Sequence, residues 1–242
     1  MADPELSVVV PVFNERGNVA ALIQEIVAAL RGQIAFEAVF VDDSSSDDTL
    51  AVLKDCQRRT PELRVLHQQR RCGQSTAVRN GVKAARGAWI ATLDGDGQND
   101  PADIAKLLAE RAQHPATVKL YAGWRVARRD SFSKRLASRI ANAIRSRLLN
   151  DETPDTGCGI KLFPRDVFLD LPYFDHMHRY LPALIRRAGW QTVSVPVHHR
   201  QRATGASKYN NLGRAWVGLA DLRGVGWLLR RNQQTAIEEI ER

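Results

Sequence analysis

Two aspartates stand one residue apart in the stretch TLDGDGQNDP, at Asp94 and Asp96. The glycine between them lets the backbone bend toward a bound ion, and hard divalent cations such as Mg²⁺ or Mn²⁺ prefer carboxylate oxygens. A cation held here could bridge the protein to a diphosphate and stabilise that diphosphate as a leaving group. Taken alone, the tripeptide is more typical of a solvated turn. The surrounding residues therefore decide how it is interpreted.

Acidic and amide side chains also follow two other predicted strands. Asn14 and Glu15 come after the first strand, and Asp42 and Asp43 come after the second. Ligands of a parallel α/β sheet bind where strands end and loops begin, so we expect these side chains to converge with Asp94 on one edge. The stretch Asp42-Asp43-Ser44, taken alone, is more typical of a helix cap.

The elements that must position these residues alternate between short apolar runs and amphipathic stretches. This alternation predicts an α/β fold with a mainly parallel central sheet flanked by helices. The pattern predicts strands at 6–12, 36–42, 63–67, 88–94 and 117–123, and helices at 17–32, 46–59, 73–87 and 101–113. Farther along, it predicts a helix at 177–189 and a strand at 190–197, while 151–168 is assigned no element.

The net charge of +8 predicts anionic partners. Eight cations lie between residues 123 and 149, where apolar residues recur every four positions from 132 to 148. This pattern is a basic amphipathic helix, which suits either a solvated face or a helix lying on an anionic membrane surface. Nucleic acid is another anionic partner, but no DNA- or RNA-binding motif is present, and we expect none to bind.

Three cysteines, far apart and without metal-ligand spacing, suggest reduced thiols and a reducing cytoplasm. The acidic amino terminus does not resemble a signal peptide, and no apolar run of 18 residues is present. We therefore expect a cytoplasmic protein, and the basic amphipathic helix would place it at the inner face of the cytoplasmic membrane. Without a membrane span, it would bind there peripherally or through a membrane-embedded partner protein.

The motifs SVVVPVFNE, VFVDDSSSDDT, GQSTAVRNGVKAARGAWIATLDGDGQNDP and GWR, in this order, resemble the family 2 inverting glycosyltransferases. The likeness is strongest to the polyprenyl-phosphate glycosyltransferases of the dolichyl-phosphate mannosyltransferase type, and it covers about residues 6–210. It implies a nucleotide-diphospho-sugar transferase fold of the Rossmann-like GT-A class. On this basis we expect one catalytic domain at 1–210, with a nucleotide-sugar part up to about 124 and an acceptor-facing part at 125–210. A basic helical tail would follow at 211–242.

The resemblance also implies roles for individual residues. The base and ribose pocket would be lined by Pro11, Phe13 and Glu15, and the nucleoside would contact Val41 and Asp43, with Asp42 as a neighbour. A Mg²⁺ or Mn²⁺ ion would be held by Asp94, Asp96 and Gln98. Gly95 would lie against the sugar nucleotide, and Arg125 would contact phosphate.

The acceptor side is implied by the stretch HHRQRATGASKYN, which resembles the family's phosphate-clamping element. The expected phosphate and acceptor contacts are Arg125, Arg135, Arg202, Ser207 and Lys208. Arg200 suits a solvated basic loop. Asp96 and Asp155 are the expected catalytic residues. Because a phosphate acceptor is largely ionised near neutral pH, Asp155 would orient the acceptor or the metal rather than remove a proton.

The predicted reaction is transfer of a hexose-type sugar from a GDP- or UDP-linked donor to a polyprenyl phosphate. One alternative keeps the fold and the metal but uses a glycan or glycolipid acceptor of the cell envelope. A basic nucleic-acid-binding module is the alternative from another class. A dinucleotide-dependent oxidoreductase is rejected, because no G-x-G-x-x-G follows the first strand.

Overall fold

The computed structural model describes residues 3–126, 145, 148–149, 151, 153–200 and 211–233. Over these residues the strands are β1 (Leu6–Val12), β2 (Phe36–Asp42), β3 (Leu63–His67), β4 (Trp89–Thr92), β5 (Val118–Arg125), β6 (Lys161–Pro164) and β7 (Gln191–Val197). The helices are α1 (Val19–Leu30), α2 (Thr49–Arg59), α3 (Gln74–Ala84), α4 (Asp103–Gln113), α5 (Arg165–Asp170), α6 (Leu181–Arg187) and α7 (Asn211–Arg230). A single 3₁₀ turn, Met177–Arg179, precedes α6.

The described strands form one sheet in the order β3-β2-β1-β4-β6-β5-β7. All neighbours pair in parallel except β6, which is antiparallel to both β4 and β5. The carboxyl ends of six strands therefore meet the amino end of β6 at one edge of the sheet. The predicted mainly parallel sheet with flanking helices is confirmed.

Apolar side chains fill both faces of the sheet. Along β1, Val8 and Val10 face one core cluster with α1, α2 and α4, while Val9 faces a second cluster with α3, α5 and α6. This alternation follows from the period-2 geometry of a strand. Full burial of each such side chain contributes roughly 1.5–3 kcal/mol to the free energy of unfolding.

The predicted bounds of β1, β2 and β3 match those observed. The fourth strand is shorter than predicted and ends at Thr92, because the chain turns there into the loop that carries Asp94 and Asp96. The strand β6 was missed, as was α5. The predicted helix at 177–189 is divided between the 3₁₀ turn and α6.

Helix α7 falls in the predicted tail and packs against the second core cluster. Its Val225 is 1% exposed. The hydroxyl of Tyr180 donates to the carbonyl of Gly218, and the Arg187 Nε donates to the carbonyl of Leu228. The division into a domain at 1–210 and a tail at 211–242 stays a prediction. Within the described chain, no helix combines the length and apolar character needed to cross a membrane.

Candidate active site

A cleft of about 440 Å³ lies at the edge of the sheet where the parallel strands end. Its walls come from the ends of β1, β4 and β5, the start of β6, and the 3₁₀ turn before α6. Among the residues predicted to bind donor or metal, those that line it are Pro11, Phe13, Glu15, Asp43, Asp94, Gly95, Asp96, Gln98 and Arg125. The structure thus brings most of the predicted nucleotide-sugar and metal residues into one cleft.

The loop after β4, here called the acidic loop, places Asp94 and Asp96 in the lining of the cleft. Gln74 Nε2 donates to Asp94 Oδ1 over 2.8 Å, and the backbone N–H of Gln98 donates to Asp96 Oδ1 over 3.1 Å. Burial and the charge of Asp96 together raise the pKa of Asp94. The two negative charges repel each other, and a cation bound by both carboxylates would relieve this repulsion.

The oxygen donors of this loop suit a hard divalent cation. No cluster of three or more histidine, cysteine or acidic side chains able to hold a metal occurs in the part of the chain that the structure describes. Mg²⁺ is commonly held by only one or two carboxylates together with substrate phosphates and water. Asp94, Asp96 and the amide oxygen of Gln98 therefore fit such an ion, provided that a diphosphate supplies further oxygens.

Gly95 packs directly against β1. A Cβ atom there would lie 2.6 Å from Val12 Cγ1 and 2.9 Å from the carbonyl oxygen of Pro11. These distances are too short for any side chain without displacing the strand. The glycine therefore lets the acidic loop lie close to the end of β1, next to Phe13.

Phe13 and Asp43 line the part of the cleft between the end of β1 and the turn before α3. The Arg71 guanidinium lies 4.0 Å from the centre of the Phe13 ring, in a cation–π contact. Asp43 accepts hydrogen bonds from the backbone N–H groups of Cys72 (2.7 Å) and Gly73 (2.8 Å). These bonds fix the turn before α3, where Gly73 has a positive φ of 86°. Arg71 was not predicted.

Two residues predicted near the nucleoside do not line this cleft. Val41 is fully buried in the second core cluster. The Asp42 carboxylate is fully buried and lies 2.8 Å from His67 Nδ1. Their predicted contact with the nucleoside stays a prediction that the cleft geometry does not support.

Arg125, at the end of β5, forms a two-pronged ion pair with Asp155. Its Nε lies 2.6 Å from Asp155 Oδ2, and its Nη2 lies 2.8 Å from Oδ1. Burial alone would lower the pKa of Arg125, but the hydrogen bonds and charge of Asp155 outweigh it and raise that pKa. Arg125 lines the cleft, whereas Asp155 does not.

Lys161 begins β6 and was missed in the sequence. It is 4% exposed, and its Nζ donates to the carbonyls of Thr156 and Cys158. Burial lowers its pKa, and the neighbouring charge of Asp94 opposes this effect. Lys161 thus binds the backbone of residues 156–158. A separate hydrogen bond, from Thr92 Oγ1 to the carbonyl of Gly159 over 2.7 Å, connects this segment to the end of β4.

His178 and Arg179 line the cleft on the side of the 3₁₀ turn. His178 Nδ1 lies 2.6 Å from the buried Ser75 Oγ. Burial, reinforced by the charges of Arg179 and Lys161, lowers the pKa of His178 well below its usual value. A neutral imidazole is therefore expected here at neutral pH. Neither residue was predicted as part of the site.

The chain after β7 runs across the acidic loop. The backbone N–H of Arg200 donates to the carbonyl of Gln98 over 2.9 Å, and residues 99 and 199 form an isolated β-bridge. The Arg200 guanidinium pairs with Glu25 and Asp100, at 2.7 and 2.8 Å. The Arg200 side chain is 40% exposed, which agrees with the expected solvated basic loop, but two carboxylates from separate elements also pair with it.

The basic segment at 123–149 also needs a correction at Arg145, which was grouped with its surface cations. Arg145 is 8% exposed, and its Nε pairs with Asp151 over 3.0 Å while its Nη2 donates to the carbonyl of Thr153 over 2.6 Å. Four residues predicted at the acceptor site lie outside the described residues, namely Arg135, Arg202, Ser207 and Lys208.

Comparison with known proteins agrees with this architecture. The family model for glycosyl transferase family 2 matches residues 7–171. Dodecaprenyl-phosphate galacturonate synthase of Rhizobium johnstonii is 35% identical over 237 residues, covering 93% of this chain and 68% of that protein. Undecaprenyl-phosphate 4-deoxy-4-formamido-L-arabinose transferase of Sodalis glossinidius is 31% identical over 208 residues, covering 85% of this chain and 63% of that protein. The chain thus spans only about two thirds of these relatives.

Solved structures show the same fold. Glucosyl-3-phosphoglycerate synthase from Mycobacterium tuberculosis, in complex with Mg²⁺ and UDP, superposes with a TM-score of 0.67 at 17% identity, over 95% of this chain and 79% of its own. A mannosyltransferase from Pyrobaculum calidifontis, in complex with GDP-mannose and Mn²⁺, gives a TM-score of 0.63 at 17% identity, over 98% and 67%. The fold is therefore that of the GT-A glycosyltransferases, and the chain belongs to glycosyl transferase family 2.

Proposed function

We propose that this enzyme transfers a sugar from a nucleotide-diphosphate sugar to a polyprenyl phosphate, with Mg²⁺ or Mn²⁺ as cofactor. The observation that carries the proposal is that one cleft holds an acidic loop, centred on Asp94 and Asp96, and a basic wall, centred on Arg125 and Lys161. The acidic loop suits a metal-bound diphosphate, and the basic wall suits a second phosphate. The choice of a polyprenyl phosphate as the acceptor is supported by the similarity to the dodecaprenyl-phosphate and undecaprenyl-phosphate enzymes.

On the donor side, Phe13 and Arg71 offer flat surfaces for a nucleobase, and Glu15 offers a carboxylate to ribose hydroxyls. The Asp43 carboxylate accepts hydrogen bonds from the backbone N–H groups of Cys72 and Gly73 and so fixes the turn beside the nucleobase surface. Asp94, Asp96 and Gln98 would hold the cation. When bound, the cation would neutralise the charge that develops on the diphosphate as it leaves.

On the acceptor side, Arg125 directs its guanidinium to a phosphate, and the predicted clamp at Arg202, Ser207 and Lys208 adds further donors. The acceptor phosphate would attack the anomeric carbon on the face opposite the diphosphate, which inverts its configuration. The expected site of action is the inner face of the cytoplasmic membrane, where an anionic surface or a membrane-embedded partner would present the lipid.

Exposed apolar side chains support a surface role for α7. Val217, Leu219 and Trp227 are 43%, 42% and 54% exposed. Arg231 lies over the Trp227 ring, 5.9 Å from its centre. Aromatic and basic side chains placed together in this way are typical of proteins that bind at a lipid headgroup layer.

A panel of UDP- and GDP-linked sugars with undecaprenyl phosphate in detergent, with Mg²⁺, Mn²⁺ or EDTA, tests the proposal. A lipid-linked sugar formed with one donor and lost in EDTA is the expected result. A product formed only on a soluble glycan or a glycolipid would transfer the proposal to that acceptor class. Salt-sensitive DNA retention with no transfer from any donor would favour a nucleic-acid-binding protein and reject catalysis.

A further inference from the structure

The pairing of Arg125 with Asp155 constrains what Asp155 can do in the proposed transfer. Both carboxylate oxygens accept hydrogen bonds from the Nε and Nη2 of Arg125, and Oδ2 also lies 3.4 Å from the backbone N of Arg125. The two side chains are 13% and 8% exposed. A carboxylate that accepts two parallel hydrogen bonds from a buried guanidinium is a poor proton acceptor, because protonation would break a charge-assisted pair.

The walls of the cleft agree with this constraint. Arg125, Thr156 and Gly157 line the cleft, whereas Asp155 lies behind them. Gly157 lies close to the pair: a Cβ atom there would be 3.3 Å from Arg125 Nη2. The chain therefore presents Arg125 to a ligand and keeps the carboxylate behind it.

The reaction does not require a base at this position. An oxygen of the acceptor phosphate forms the new bond to the anomeric carbon, and the bond from that carbon to the donor diphosphate breaks. The electron pair of the broken bond leaves with the diphosphate. An ionised phosphate monoester carries no proton that must be removed, since its second pKa is about 6.

We propose that Asp155 is a positioning residue, which fixes Arg125 so that its Nη1 edge meets the acceptor phosphate. This inference rests on the proposed function and deepens it. A guanidinium carries five N–H donors in a rigid plane, so a carboxylate on the Nε–Nη2 edge sets the direction of the others. Asp155 thus acts through Arg125 and not on the reacting atoms.

A double-mutant cycle tests this proposal, using Asp155→Asn, Arg125→Gln and the double variant with undecaprenyl phosphate and the donor found in the panel. We expect Asp155→Asn to raise the acceptor KM by about tenfold to 100-fold, with a smaller change in kcat. The double variant should be within about threefold of Arg125→Gln, because residues that act as one unit are not additive. The acidic limb of the pH–rate profile should keep its position, and Asp155→Glu should restore part of the affinity.

The result that would overturn the proposal is a loss of kcat of about 10²–10⁴ in Asp155→Asn, with the acceptor KM unchanged and the loss retained in the Arg125→Gln background. Asp55→Asn is the matched control, because Asp55 forms an exposed ion pair with Arg59. It should leave kinetics unchanged. Donor KM and thermal unfolding, measured for every variant, identify a variant that fails to fold.

A binding measurement separates this inference from the proposed function. The ¹H–¹⁵N resonance of Arg125 Nε, in labelled protein, reports the Asp155 hydrogen bond without any donor sugar. It should shift in Asp155→Asn, and titration with undecaprenyl phosphate should show weaker binding than in the wild type. An unchanged Nε resonance, or equal binding by both proteins, would overturn the positioning role. If no donor is used by the wild type, only the proposed transfer fails.

Discussion

The two walls of the cleft use charge in opposite ways. On the acidic wall, formed by Asp94 and Asp96 of the acidic loop, neutral donors hold the carboxylates: Gln74 Nε2 donates to Asp94, and the backbone N–H of Gln98 donates to Asp96. On the basic wall, the cations themselves hold the backbone, as Lys161 holds the carbonyls of Thr156 and Cys158. The acidic wall therefore keeps its charge for a ligand, whereas part of the charge of the basic wall maintains the fold. Substitutions on the acidic wall should accordingly affect activity alone, whereas substitutions on the basic wall should affect both stability and activity.

Asp96→Asn should give the largest effect, on the acidic wall. We expect turnover to fall by about 10²–10³ or more, because a metal ligand that stabilises the leaving diphosphate is weakened. The free energy of unfolding should change by less than about 0.5 kcal/mol, as for ordinary surface substitutions. Steady-state kinetics and urea unfolding of the same sample measure both. Near-normal transfer would remove Asp96 from the metal site.

Lys161→Met should lower the free energy of unfolding by about 2–4 kcal/mol, because two buried carbonyls lose a charged donor. Activity should also fall, since residues 156–159 line the cleft. Urea unfolding measures the first effect, with the exposed Lys54→Met as the matched control. If Lys161→Met lost activity at full stability, the two walls would not differ as described.

Arg145→Ala should lower the free energy of unfolding by about 2–4 kcal/mol, because Asp151 would remain buried without its partner. Sedimentation with anionic vesicles should be unchanged, since the Arg145 side chain is buried and does not face the solvent. Weaker sedimentation at unchanged stability would return Arg145 to the surface cations.

High pH should weaken the packing of α7 through Tyr180, whose hydroxyl donates to the carbonyl of Gly218 and which does not line the cleft. Burial, with a smaller contribution from the charge of Asp221, raises the pKa of Tyr180 from 10.0 to about 12. The unfolded chain loses this proton first, so the stabilising contribution is complete below pH 10 and declines as pH rises from 10 to 12. The decline should reach at most about 2–3 kcal/mol, and Tyr180→Phe should show a flatter stability curve over this range. Equal slopes in both proteins would contradict this assignment.

Arg71→Ala should give the smallest effect. Loss of the cation–π contact with Phe13 should raise the donor KM about threefold to fivefold and leave the acceptor KM unchanged. The matched control is Arg79→Ala, since Arg79 stacks on Tyr173, 4.4 Å from the ring centre, and does not line the cleft. If the acceptor KM changed more than the donor KM, Arg71 would contact the acceptor and not the donor.

The same contrast explains how much the sequence could predict. The strands β1, β2 and β3 were predictable, because short apolar runs that alternate with amphipathic helices indicate a parallel sheet. The acidic loop was predictable, because ligand-binding side chains follow the carboxyl ends of such strands. The role of Lys161 was not predictable, since a lysine within GIKLFP only indicates that a short apolar run is interrupted. Only the folded chain shows that carbonyls nearby in sequence surround its ammonium group. Arg145 was misassigned for a similar reason, because helical periodicity does not show which cation meets a buried carboxylate.

The position of β6 between β4 and β5 has a consequence for the order of folding. The strands β1 to β4 can pair with one another as soon as the chain reaches Thr92. In contrast, the partners of β5 among the described strands are β6 and β7, both of which come later in the chain. Pairing over such separations must first overcome the entropy of closing a long loop, which slows it. During synthesis from the amino terminus, the acidic wall can therefore form first, while Arg125 must wait for β6 before the second wall of the cleft exists.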